Sequence, residues 1–187
     1  MKQKDLDVVL LDNGTRFYKK FLSLKQHKIE YQNYIKKEVI NKEITWHVKG
    51  NLSKERIKTL IDIKNTCKKN NVELKLFINP TFVNYLFDKN SNYLDKNKLI
   101  RFIVENIGSI YDFNNINTIT TNPEYFIDKL HFNYEVASMI LARLFNDKSV
   151  KIPSDFGILV DKQNIEDYIK KTEANFYKNR INYLPQN

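Results

Sequence analysis

Asp128 and His131 stand three residues apart in Tyr125-Phe126-Ile127-Asp128-Lys129-Leu130-His131-Phe132. They come just before an apolar pattern, Phe132, Val136, Ile140 and Leu144, that falls on one face of a helix of 3.6-residue period. This places an acid and a base in the loop and first turn of a helix anchored in the core. A neutral imidazole accepts a proton near pH 7. A neighbouring carboxylate fixes its tautomer and steadies the imidazolium that forms. The same spacing has a purely structural reading, because an Asp before a helix commonly caps it or faces its dipole.

The elements that must position this pair read as alternating strands and helices. Leu6-Asp7-Val8-Val9-Leu10-Leu11 reads as a buried strand closed by the turn Asp12-Asn13-Gly14-Thr15. Asn13 thus lies at a strand's carboxyl end, where open α/β sheets place their sites; its structural reading is a turn residue before glycine. Residues 16–40 read as helical in two pieces with His27 on the surface between them, and Trp46-His47 as an anchor on a core edge. Ser53 is a good N-cap for a helix whose face runs Ile57, Leu60, Ile61, Lys64, Cys67. Val72 to Ile78 is the strongest strand, ending at Asn79-Pro80. A helix over Asp95 to Glu105, a short strand Ser109 to Phe113 and a polar loop then lead to Asp128. Asp155 to Val160 reads as a turn with a short apolar run, and Gln163 to Tyr177 as an amphipathic helix before a tail, 178–187, that frays.

Composition narrows the function classes. At 187 residues and 42% hydrophobic, the chain is long enough for one domain with a substantial core. Four glycines and four prolines argue against a sandwich of many tight turns. One cysteine excludes an internal disulfide, and three dispersed histidines offer no first-row metal set. The net charge of +9 is spread among acids and asparagines, as in Lys19-Lys20, Lys36-Lys37 and Lys68-Lys69. It therefore reads as solvated helix faces, not as a nucleic-acid module. Val8 to Leu11 is too short for the apolar core of a signal peptide, and no run approaches the ~20 apolar residues of a membrane span.

Tyr-Phe-Ile-Asp-Lys-Leu-His-Phe-Asn-Tyr-Glu-Val-Ala-Ser-Met-Ile-Leu, residues 125–141, resembles the last conserved block of the SGNH (GDSL-like) hydrolases. The stretches Gly50-Asn51-Leu52-Ser53, Cys67 to Leu74, Phe77-Ile78-Asn79-Pro80, Asp155-Phe156-Gly157 and Asn164-Ile165 are similar to uncharacterised bacterial SGNH-like proteins. The resemblance implies that Asp128 and His131 are the acid and base of a Ser-His-Asp triad. It also implies an oxyanion-hole role for Asn13, ester (acetyl) substrates on small molecules or cell-surface glycans, an envelope setting and no cofactor. The chain departs from the family at its first block: there is no Gly-Asp-Ser turn near the N-terminus. Ser23, Ser53, Ser91, Ser109, Ser138, Ser149 and Ser154 remain as nucleophiles, none on a glycine-flanked elbow.

The expected fold is α/β: a three-layer, flavodoxin-like (SGNH-like) parallel sheet with Leu6–Leu11, Val72–Ile78 and Ser109–Phe113 as strands. Residues 1–187 form a single domain, or the carboxyl-terminal piece of a larger SGNH-like domain that has lost its first strands. The expected function is an SGNH-like ester hydrolase or acyltransferase, inactive as this chain alone. The alternative is a non-catalytic α/β module that binds a glycan or partner through a basic surface and an exposed strand edge.

Overall fold

A strand, a helix and a second strand form the centre of the structure, a computed structural model that describes residues 8–10, 16–18, 27–42, 53–87 and 93–183. Strand β3 (Leu76–Ile78) runs parallel to β4 (Ile110–Asp112), with Leu76 opposite Ile110 and Ile78 opposite Asp112. The crossover between them carries a short helix α3 (Val83–Leu86) and the longer α4 (Tyr93–Asn106). Parallel strands need such a crossover, because a tight hairpin joins only antiparallel neighbours. Strand β5 (Ile158–Val160) adds to the far side of β4 in the antiparallel sense, giving a mixed three-stranded sheet of order β3-β4-β5.

Side chains alternate across the sheet. Leu76, Ile78, Ile110, Ile158 and Val160 pack against Ile100, Ile103 and Val104 of α4 and against Ile165 and Tyr168 of α6 (Ile165–Tyr183). Tyr111 faces the other way and joins Phe113, Ile119 and Phe156 beneath α5 (Tyr134–Phe145), which contributes Val136, Ile140 and Leu144. Helix α5 starts where Asn133 accepts hydrogen bonds from the amides of Glu135 and Val136 and ends on left-handed Asn146. A third cluster, described below, gathers Tyr31, Ile35 and Val39 around Phe82, Val83 and Phe126.

Helix α1 (Lys28–Tyr34) passes directly into a π-helical segment, Ile35–Ile40, whose i→i+5 pattern continues to the Asn41 amide on the Lys36 carbonyl at 3.0 Å. Helix α2 (Lys54–Lys69) is capped by Ser53, whose Oγ accepts from the Arg56 amide. Its expected apolar face is half-covered at Ile57, Leu60, Ile61 and Cys67, yet none of its residues is buried. A side-chain tie from Lys64 Nζ to the Asn106 carbonyl, 2.6 Å, links it to the end of α4.

The mixed α/β class agrees with expectation; three of the individual assignments do not. Val8–Leu10 (β1) is a strand, but it pairs antiparallel with Arg16–Tyr18 (β2) in a separate two-stranded sheet, and is not a parallel partner of β3. Only five residues of sequence separate the two extended runs, and so short a separation favours local antiparallel pairing over a distant parallel one. Arg16–Tyr18 is accordingly extended where a helix was expected. The apolar run near Val160 is a true strand, antiparallel to β4. Asn13 and Trp46-His47 lie outside the described residues.

Candidate active site

The loop from Asn122 to Asn133 is built by side chains that satisfy its own backbone. Asn122 caps a 3-10 turn, Pro123–Tyr125, by accepting the Glu124 amide at 3.0 Å. Phe126 then bridges Phe132 in antiparallel fashion, so the residues between them form a tight excursion. The Ile127 amide donates to the His131 carbonyl at 2.7 Å. Asp128 Oδ1 accepts the amides of Leu130 at 2.8 Å and His131 at 2.9 Å, an Asx-type turn. Asn133 closes the loop, its amide on the Tyr125 carbonyl at 2.8 Å and its Nδ2 on the Glu124 carbonyl at 3.1 Å.

Within this excursion the His131 ring lies on the Asp128 carboxylate, with Nδ1 2.9 Å from both oxygens. That contact assigns the proton to Nδ1, which donates to Asp128, and leaves the Nε2 lone pair directed away. Among the described residues Nε2 has no partner, and the His131 side chain is 66% exposed while that of Asp128 is 30% exposed. Both residues lie in the loop, with α5 beginning only at Tyr134, three residues beyond the histidine. The arrangement holds an oriented base with one nitrogen available to an incoming group.

Four contacts fix the loop to the rest of the molecule. The Phe82 amide donates to the Lys129 carbonyl at 2.9 Å, which sets the excursion beside the chain leaving the carboxyl end of β3. Tyr31 and Tyr34 on α1 donate their hydroxyls to the carbonyls of Glu124 (3.1 Å) and Ile127 (2.6 Å). Phe126, fully buried, packs against Phe82 at a ring-centroid distance of 5.8 Å. The reading of residues 16–40 as two helical pieces covers these tyrosines, but nothing local to them points to a loop 93 residues away.

The carboxyl end of β4 carries a second polar cluster that the sequence reading did not isolate. Lys96 Nζ donates to Asp112 Oδ2 (2.7 Å), the Asn114 carbonyl (2.8 Å) and Asn115 Oδ1 (2.7 Å). Tyr168 adds its hydroxyl to Asp112 Oδ2 at 2.8 Å, and Asp112 Oδ1 accepts the Asn114 amide at 2.7 Å. Burial pushes the Lys96 ammonium below the usual lysine range, opposed by the charge of Asp112 and its hydrogen bond. Asn114 Oδ1 in turn accepts the amide and hydroxyl of Thr81, one residue before Phe82. An aspartate inside the apolar strand Ile110-Tyr111-Asp112-Phe113 was the available signal, since a buried carboxylate demands a partner.

The chain matches no family model, no curated protein and no solved structure.

No hydrogen bond joins a described serine to the imidazole. Ser53 caps α2, and Ser138 turns its hydroxyl into its own helix, onto the Tyr134 carbonyl at 3.0 Å. Ser23 and Ser91 lie outside the described residues. Among the described residues no three His, Cys, Asp or Glu side chains gather as a metal site, and no helix is long and apolar enough to cross a membrane.

Proposed function

We propose that this chain carries the acid–base half of an SGNH-like ester hydrolase or acyltransferase. The observation that supports it is the His131 ring seated at 2.9 Å on Asp128 with Nε2 bare. In this reading Nε2 removes the proton from a serine hydroxyl as its oxygen attacks the ester carbonyl carbon. Asp128 stabilises the resulting imidazolium, which then returns the proton to the departing alcohol. The serine comes from outside the described residues, and Asn13 takes the oxyanion-hole role through the family resemblance alone. The finer fold that goes with this reading is a three-layer, flavodoxin-like sheet continued beyond β3. Its support is that β3 is the terminal strand of its sheet, with no neighbour on its outer edge among the described residues.

A second reading, a non-catalytic α/β module, is favoured by the exposure of Phe77, Leu159 and Phe145 (42%, 38% and 67%). Apolar side chains left open on a sheet face and a neighbouring helix suit a partner chain. One experiment separates the two: treat the protein, isolated from its own cells with whatever it associates with, with a fluorophosphonate probe. The hydrolase reading expects a labelled serine and ester turnover that His131→Ala abolishes. A sample with no labelled serine and no turnover sinks that reading.

A further inference from the structure

We infer that the π-helical segment beside the dyad is an anion subsite, so that the ester substrate carries an oxyacid group, phosphate or carboxylate. This inference rests on the hydrolase reading for the word substrate; the anion site itself does not.

The segment borders an open depression of about 560 Å³ lined by Asn33, Lys36, Lys37, Glu38, Asn41 and Lys42. The spacing follows from the backbone. Asn33 lies on helix α1, Lys36, Lys37 and Glu38 lie on the π segment, and Asn41 and Lys42 follow its end. The adjacent stripe, Tyr31, Ile35 and Val39, is buried against the site loop, so the polar stripe stands at the rim of that contact. The Tyr34 hydroxyl on the Ile127 carbonyl fixes the helix one residue from Asp128. Glu38 and Lys42 thus continue the chain from the helix that this hydrogen bond ties to the loop of the dyad.

The lining carries three lysines and one glutamate. Glu38 is already neutralised, by Lys42 at 2.8 Å and Lys37 at 3.8 Å. Lys36 and the amides of Asn33 and Asn41 make no side-chain hydrogen bond with any described residue. The depression therefore offers surplus positive charge and free N–H donors, with its one carboxylate occupied. That combination suits an oxyanion and disfavours a cation. In the hydrolase reading, an anion held on this helix and the ester presented to Nε2 are parts of one substrate.

The test is an NMR titration of the 187-residue protein with sn-glycerol 1-phosphate, glucuronate and, as the neutral arm, glycerol. Saturable shifts confined to Asn33, Lys36, Lys42 and the His131 ring are expected with the first two ligands and not with glycerol. Comparing phosphate with carboxylate identifies the preferred oxyacid. Lys36→Gln, an exposed change that touches no packing, should weaken binding about tenfold. Lys68→Gln, which removes the same charge on α2, should leave it unchanged. Absence of saturable shifts, shifts spread evenly over the surface lysines, or equal loss in the two variants would overturn the inference. Binding without a fluorophosphonate-reactive serine would leave the anion site standing while the hydrolase reading falls. A reactive serine without binding would do the reverse.

Discussion

One oxygen of Asp128, Oδ1, meets both the ring and the backbone amide of His131. Oδ1 lies 2.9 Å from the backbone nitrogen and 2.9 Å from Nδ1. One carboxylate thus shapes the turn and orients the base, so loop geometry and imidazole tautomer cannot be varied independently by deleting it. Asp128→Asn separates the two roles. An amide oxygen still accepts the Leu130 and His131 amides, but the charge facing the ring is gone. The expected outcome is an unchanged amide spectrum for the loop with the imidazole ¹⁵N signals moving from the Nδ1–H tautomer toward a mixture. Collapse of the loop amides in this variant would show that the carboxylate's structural role dominates.

Under the hydrolase reading, the activity of the isolated chain turns on the absence of a Gly-Asp-Ser turn from its sequence. Removing the serine from a triad costs on the order of a million-fold, because the members act as a unit. The 187-residue chain should hydrolyse nitrophenyl acetate no faster than an exposed histidine does, and His131→Ala should change that rate only modestly. Rapid turnover lost in His131→Ala would mean that one of the seven serines is close enough to act, and single Ser→Ala changes would identify it.

How much of this was legible in the sequence depends on how local the cause was. Val136, Ile140 and Leu144 announced α5 because helical periodicity is written within a few turns. Ser53 announced α2 through a bond to a residue three positions on. The Asp128–His131 contact was readable for the same reason. The partner of Val8–Leu10 was not, because strand identity is local and strand pairing is not. Nor was the second partner of β4, since Ile158–Val160 is too short a run to distinguish a strand from a turn before its neighbour is known. The π segment escaped because Ile35 and Val39 keep helical spacing in either helix type.

The Lys96–Asp112 pair gives a stability prediction. The two side chains are 10% and 0% exposed, and the carboxylate also serves Tyr168 and the Asn114 amide. Lys96→Met leaves a buried carboxylate without its cation and should cost roughly 3–5 kcal/mol. Asp112→Asn in the same background should recover part of that loss, since the remaining partner is no longer charged. Urea unfolding of the wild type, both single variants and the double variant closes the cycle; strict additivity would show that the two groups do not interact.

Gly157 has a left-handed φ of 76°, and a Cβ there would collide with the Phe113 ring. That ring is fully buried and wedged against Phe156 at 4.8 Å. Gly157→Ala therefore combines backbone strain with overpacking and should destabilise by about 2–4 kcal/mol. A thermal midpoint equal to that of the wild type would show that Phe113 has room to move.

Tyr31 supplies the pH dependence. Burial, followed by the nearby charges of Glu124 and Glu135, pushes its phenol well above the usual tyrosine range. A group whose folded value is raised contributes stability that is present below its unfolded value and lost as pH rises above it. The fold should thus weaken as pH climbs past about 10, where an unfolded tyrosine ionises. Tyr31→Phe should be about 1 kcal/mol less stable at neutral pH, through the lost bond to the Glu124 carbonyl, and less sensitive to alkali. Parallel alkaline slopes for the two proteins would contradict this.

The ties that hold the site loop span long stretches of chain, with Ile127 standing 93 positions after Tyr34. Each such tie closes a large loop, an entropic cost met before the contact rewards it. The crossover from β3 to β4 needs only the residues between them, whereas the dyad needs both that unit and α1 in place. We expect the base to be the last part of the molecule assembled during refolding. Stopped-flow detection of the His131 ring environment should lag the appearance of helix, and a chain still emerging from the ribosome would then expose apolar strands before it possessed any chemistry.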